Sequence, residues 1–139
     1  EVPSLTDDEI EQLRAGDGMG LARPAELNGY PGPKHVLELA DELELTPEQR
    51  AEVEAIYERM HEAAVATGER LIEAEKHLNN RFRHQHIDEQ SLAAAVGEVA
   101  MIRGELRTVH LSAHLTTHAL LSAEQRAEYD RLRGYTASE

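Results

Sequence analysis

Two long apolar seams, neither interrupted by proline, constrain this chain more than any other feature. From Pro47 onward the series Val53, Ile56, Met60, Ala63, Thr67, Leu71, Ala74, Leu78, Phe82 advances by steps of three and four. A second series, Leu92, Ala95, Val99, Ile102, Leu106, Val109, Ala113, Thr116, Leu120, advances with the same rhythm. That period places side chains along one stripe of an α-helix, whereas a half-buried strand would need every second residue apolar. At 1.5 Å per residue the first helix would span on the order of 50 Å, too long to lie inside a compact globule. Asn79-Asn80 and His84-Gln85-His86 mark a turn between the series, and Asp88 suits the cap of the returning helix. Similar lengths and a short connection predict an antiparallel helical hairpin, and hence an all-α fold.

The ends of the seams are marked by a repeated pattern. Leu45-Thr46-Pro47-Glu48-Gln49-Arg50-Ala51-Glu52 recurs as Leu121-Ser122-Ala123-Glu124-Gln125-Arg126-Ala127-Glu128. A hydroxyl residue followed three positions later by Gln is a capping box: the hydroxyl accepts from a first-turn N–H, and the Gln reaches back to the cap's own N–H. Pro47 sits at the first helical position, where its missing N–H is not needed. One copy opens the first long helix, and the other opens a short final helix to about Tyr135. Ahead of the hairpin, Pro33 opens a helix over residues 35–43 with Val36, Leu39, Ala40 and Leu43 on one side.

The first part of the chain reads differently. Thr6-Asp7-Asp8-Glu9 is a further capping box, with Ile10 and Leu13 as the stripe of a short helix ending at Gly16. Gly16-Asp17-Gly18-Met19-Gly20 follows a helix rather than a strand and lacks the Lys-Ser/Thr ending of a phosphate loop, so it reads as a flexible turn. Asn28-Gly29-Tyr30-Pro31-Gly32-Pro33 is dense turn chemistry. The expected organisation is therefore an arm over residues 1–32, a four-helix hairpin domain over 33–135, and a tail over 136–139.

Composition narrows the partners. A net charge of −13 argues against nucleic acid and anionic membrane surfaces and favours cations. The chain has no cysteine, which excludes disulfides and thiolate metal sites. No stretch approaches the ~20 apolar residues of a membrane span. A chain opening on Glu1 is read as a processed product from which a signal peptide or anchor has been removed. No catalytic constellation stands out. His61-Glu62 opens like a zincin motif, but Val65 occupies the second histidine's position, and no enzyme is expected.

The eight histidines are the remaining chemistry. His110, His114 and His118 recur every fourth residue, so His114 and His118 point the same way and can offer two imidazoles to one ion. A solvated or satisfied histidine stripe is the plainer alternative. His77, His84 and His86, with Glu73, form a looser group at the hairpin tip. Leu111 and Leu115 lie roughly opposite the second seam. A helix apolar on two faces asks for cover from the helix before Leu43, from the arm, or from a second subunit.

The paired capping boxes resemble the LTxxQ motif of the Spy/CpxP-like family of periplasmic stress and heavy-metal-resistance proteins. The first copy matches fully, and the second carries Ser122 and Ala123 for Thr and Pro. The nearest branch is the heavy-metal-binding, CnrX-like one. There an i, i+4 His/Met pair before the second motif joins histidines of the first helix and a glutamate after the first motif. Carried over, the resemblance implies a divalent transition-metal site built from His114 and His118 with His35 and Glu54 or Glu58, suited to copper, zinc, nickel or cobalt. It also implies a periplasmic homodimer acting in metal sensing or resistance, with a membrane-bound regulatory partner. The alternative it carries is an ATP-independent chaperone that holds unfolded clients.

Overall fold

A computed structural model of the protein describes residues 2–135 and, among them, contains six helices and no strand. These are α1 (Asp7–Ala15), α2 (Arg23–Glu26), α3 (Pro33–Glu38), α4 (Pro47–Arg83), α5 (Glu89–Leu120) and α6 (Ala123–Arg133). The all-α hairpin expected from the seams is the architecture observed: α4 and α5 are the long pair, of 37 and 32 residues. The tail expected at 136–139 lies outside the described residues.

The chain divides into two compact units. One joins residues 2–19 to 61–108; the other joins 20–60 to 109–135. The segment expected as one arm, residues 1–32, is thus shared between them.

In the first unit α4 and α5 run antiparallel. Arg70 Nη1 meets Glu105 Oε1 at 2.7 Å, and Arg103 Nη2 meets Glu75 Oε2 at 3.3 Å. Asp88 caps α5 as expected: its carboxylate accepts from the Ser91 N–H at 2.9 Å, and its own N–H donates to Ser91 Oγ at 2.9 Å. Those contacts hold the Asp88 carboxyl below the usual range, the Ser91 N–H first among them. Phe82, which ends the first seam, is 56% exposed, because the pair has run past its partners at the turn.

Helix α1 begins with the Thr6–Glu9 capping box and ends at Gly16, whose φ of 74° is the left-handed geometry that favours glycine. It is seated on α4 by close backbone approach. Leu13 is buried, and a Cβ on Gly68 would lie 2.7 Å from the Leu13 carbonyl oxygen. His61 Nε2 donates to the Ala15 carbonyl at 2.9 Å, satisfying one of the helix's terminal acceptors. Ser4 Oγ donates to the buried Glu75 at 2.8 Å.

This seat reverses an ordinary expectation. Gly→Ala inside a helix normally stabilises by about 1 kcal/mol. Gly68→Ala is expected instead to destabilise by roughly 1–3 kcal/mol, since backbone must move to admit the methyl group. Gly97 and Gly104 on α5 are the controls. An added Cβ meets nothing within 4 Å at either, so Ala there should stabilise. Urea unfolding of the three variants checks this, and a stabilised Gly68→Ala would refute the close approach.

The second unit is built around Val36, Leu43, Val53, Leu121 and Tyr129, with Leu37, Leu39, Leu45, Leu120, Leu132 and Tyr135 packed about them. Helix α3 stops at Glu38, short of the expected Leu43. Leu39, with a ψ of 18°, leaves the helix, and a turn then lets Ala40 and Leu43 still reach the interior. The leucines of both repeats thus enter one core. Burying one such side chain fully is worth about 1.5–3 kcal/mol.

The two repeats are also joined to each other. Gln49 and Gln125 each close their own capping box, with Oε1 accepting from the N–H of Thr46 at 3.0 Å and of Ser122 at 2.9 Å. Their amides then pair reciprocally, at 2.8 and 2.9 Å. The second proton of Gln49 Nε2 goes to the Leu120 carbonyl at 2.9 Å, and that of Gln125 to the Leu43 carbonyl at 3.3 Å. Each amide therefore uses two donors and two acceptor positions, its whole capacity. Arg126 adds bonds to the carbonyls of Leu121, at 2.6 Å, and His118, at 3.3 Å.

Candidate functional site

The candidate site lies in the second unit, where the end of α5 meets the segment from α2 to Gly32. His114 is buried, with Nδ1 donating to the Tyr30 carbonyl at 2.7 Å. The ring is pressed against the turn: a Cβ on Gly32 would stand 2.7 Å from its Cε1 and Nε2. Glu26 Oε2 lies 3.8 Å from the same Nδ1. The other carboxylate oxygen of Glu26 accepts a very short hydrogen bond from the Tyr129 hydroxyl. Burial, reinforced by that carboxylate, keeps the Tyr129 phenol protonated far above its ordinary range. One helical turn on, the His118 ring stacks on Tyr30, with centroids 4.1 Å apart and 24° between planes.

Two buried polar atoms nearby in sequence have no hydrogen-bond partner among the described residues: His110 Nε2 and Asp130 Oδ1. Burial pushes the Asp130 carboxyl up, with Glu26 adding to it. Burial, and then His114, pushes the His110 imidazole down.

The signs of the two shifts differ. The folded chain binds the His110 proton less readily than the unfolded chain. Its contribution is thus intact above the ordinary imidazole pKa of ~6.5 and is lost as pH falls below that value toward the folded one. Asp130 opposes this trend: its contribution is lost as pH rises from the ordinary carboxylate range through its raised folded value. His110→Leu is expected to flatten the limb just below neutrality and to raise stability by about 1 kcal/mol, because it removes a buried unpaired nitrogen. Urea unfolding across pH measures both, and an unchanged limb would assign it to another group.

The five residues singled out in the sequence are placed as follows. His114 and His118 share one stripe of α5 and engage the same Tyr30, one through its carbonyl and the other through its ring. His35 is in α3, where its Nδ1 meets Glu38 Oε1 at 2.7 Å and holds that carboxyl below the usual range. Glu54 and Glu58 are exposed on α4. No group of three or more His, Asp or Glu able to hold a metal ion is present among the described residues, so these five are not gathered into one ligand set.

Sequence reasoning missed Glu26 and Tyr129, and it read Tyr30 and Gly32 only as parts of a turn. The Tyr30-Pro31-Gly32-Pro33 run was the available signal. Pro31, Gly32 and Pro33 are buried, so this is a turn packed inward rather than a linker. Nothing in the spacing marks Glu26. As a chemical arrangement, the His114 Nδ1 has a carbonyl oxygen at 2.7 Å and a carboxylate oxygen at 3.8 Å. The tip histidines are exposed, with the His84 and His86 rings 6.5 Å apart.

No curated protein and no solved structure was found to match the chain. A family profile described as LTXXQ motif family protein matches residues 32–133, from the glycine against His114 to the last residue of α6. The matched region contains the capping boxes of both repeats and the amide pair that joins them, and the chain belongs to the LTXXQ motif family.

Proposed function

We propose that the protein binds a divalent transition metal, copper, zinc, nickel or cobalt, in periplasmic heavy-metal sensing or resistance, and that it is not an enzyme. The observation that carries the proposal is the convergence of His114 Nδ1, Glu26 Oε2 and the Tyr30 carbonyl. A cation would take the place of the Nδ1 proton, and His118 is the next ligand along the helix. Glu26 takes the part that the resemblance implied for Glu54 or Glu58, while His35 is held by Glu38. The net charge of −13 raises the local cation concentration. Calorimetry on the wild type and on His114→Ala with His118→Ala tests this. Binding should be stoichiometric in the first and absent in the second. It should weaken steeply between roughly pH 7 and 5 as imidazole protonates. Undiminished binding by the double variant would move the site to the tip histidines.

A second reading, a chaperone holding unfolded clients, is favoured by Phe82, Val96 and Met101, which are 47–56% exposed. Suppression of client aggregation without any metal binding would select it. The homodimer belongs to either reading. Leu115 is 61% exposed in the single chain and Leu111 half-buried, so α3 does not cover this face. Leu111→Glu with Leu115→Glu should yield monomers or insoluble protein in sedimentation. Unchanged mass and stability would mean the face is no interface.

A further inference from the structure

Residues 76–87, which end α4 and form the turn to α5, contain Lys76, Arg81 and Arg83 and no Asp or Glu, in a chain whose net charge is −13. Every residue from 80 to 86 is exposed. Between the two arginines stands Phe82, the chain's only phenylalanine, with more than half of its surface in water.

These arginines are not neutralised as others in the chain are. Arg14, Arg50, Arg70, Arg103 and Arg131 each meet a carboxylate within 3.5 Å. Arg83 makes no ion pair or side-chain hydrogen bond among the described residues. Arg81 reaches only a carbonyl, that of His86, at 3.2 Å, while Asp88 beside it is turned to the Ser91 cap. Cations at a helix C-terminus offset its dipole, which accounts for the position of the arginines. It does not account for an exposed phenylalanine between them.

The turn is fixed in advance. The His86 N–H donates to the Arg81 carbonyl at 2.8 Å and the Gln85 N–H to the Phe82 carbonyl at 3.1 Å, with Gln85 at a φ of 57°. Those paired bonds around a left-handed residue are a Schellman close. Phe82 and its neighbours are thus carried on an ordered backbone, which lowers the entropy cost of docking.

A convex, fully exposed turn has no walls to grip a side chain of a folded partner. A bilayer needs none: an aromatic ring enters the acyl boundary while guanidiniums stay with the phosphates. Single-stranded nucleic acid can also stack a base on a phenylalanine, but its backbone requires a basic groove several nucleotides long. Two guanidiniums bordered by Asp88 and Glu89 do not supply one, whereas lipid headgroups gather around each cation singly. The whole chain repels anionic surfaces, yet charges beyond a Debye length of ~8 Å are screened, so the local balance governs contact at the turn.

We propose that the α4–α5 turn docks on an anionic lipid surface, with Phe82 inserted and Arg81 and Arg83 at the headgroups. This docking is independent of metal binding.

The test is flotation of the full chain with vesicles of phosphatidylcholine, or of phosphatidylcholine and phosphatidylglycerol in equal parts, with and without EDTA. Binding should require phosphatidylglycerol, weaken with salt and be unchanged by EDTA. The chain has no tryptophan, so Phe82→Trp supplies a single reporter whose emission should shift to the blue on the anionic vesicles. Arg83→Gln should weaken partition about fivefold, the effect of one cation near the surface. Arg59→Gln, the same charge loss at an exposed position earlier on α4, should change it by less than about twofold. Phe82→Ser should weaken it about tenfold. No partition, equal binding to both vesicles, loss of binding in EDTA, an unshifted tryptophan, equal effects of the two arginine variants, or tighter binding to a single-stranded oligonucleotide would each overturn the proposal.

Discussion

Gln49→Glu is expected to destabilise the protein by about 2–4 kcal/mol, although Glu is as good a capping-box residue as Gln. The substitution keeps the oxygen that accepts from the Thr46 N–H. It deletes both donors, those serving the Leu120 carbonyl and the Gln125 amide oxygen, and sets a partly buried carboxylate against two acceptors. Gln125→Glu should behave alike, through the Leu43 carbonyl and Gln49. Because the two amides satisfy each other, their losses should not add. Gln49→Ala and Gln125→Ala combined should cost roughly 1–2 kcal/mol less than the sum of the singles, the signature of directly contacting groups. Urea denaturation of the four species completes the cycle. Additive losses would mean that each Gln serves only its own helix.

That expectation marks where sequence reasoning stops. The capping boxes were legible because they are local: Thr46 and Gln49, or Ser122 and Gln125, lie three residues apart, and their bonds follow from helix geometry alone. The seams were legible for the same reason, as periodicity records which stripe of a helix is apolar. The amide pair was not, since nothing within either repeat says that the two side chains will meet. The seam also misplaced particular residues. Ile72 is fully buried although it lies off the predicted stripe, because α1 and the residues before it cover a second face of α4. Thr117 rather than Thr116 is buried, its hydroxyl returned to the Ala113 carbonyl at 2.7 Å.

The candidate site divides along the same line. The i, i+4 spacing put His114 and His118 on one stripe, and both meet Tyr30, one at its carbonyl and the other at its ring. Their partners come from far along the chain. Tyr30 and Glu26 reach His114 across sequence separations that no motif encodes, and Tyr129 reaches Glu26 from α6. The expected partners His35, Glu54 and Glu58 were carried over from the family resemblance, by their positions around the first motif. His35 is instead occupied by Glu38 within its own short helix.

Gly32→Ala should have the largest effect on the site itself, and its direction can be read from the geometry. Gly32 has a φ of −90° and a ψ of 155°, a backbone that alanine adopts without strain, so any loss must come from the added methyl group. That methyl group would stand 2.7 Å from the Cε1 and Nε2 of His114, inside van der Waals contact. The imidazole must shift, and its bond to the Tyr30 carbonyl and its approach to Glu26 shift with it. A destabilisation of roughly 1–3 kcal/mol is expected from the overpacking, together with a marked loss of metal affinity at an unchanged tip. The cause can be isolated. In a His114→Ala background the ring is gone and the space is open, so Gly32→Ala should become nearly neutral, a coupling comparable to its whole effect. Thermal unfolding of the wild type, the two single variants and the double variant measures that coupling, with metal titration of the first two alongside. A Gly32→Ala protein that binds metal as the wild type does would show that the His114 ring is not a ligand, whatever its cost to stability.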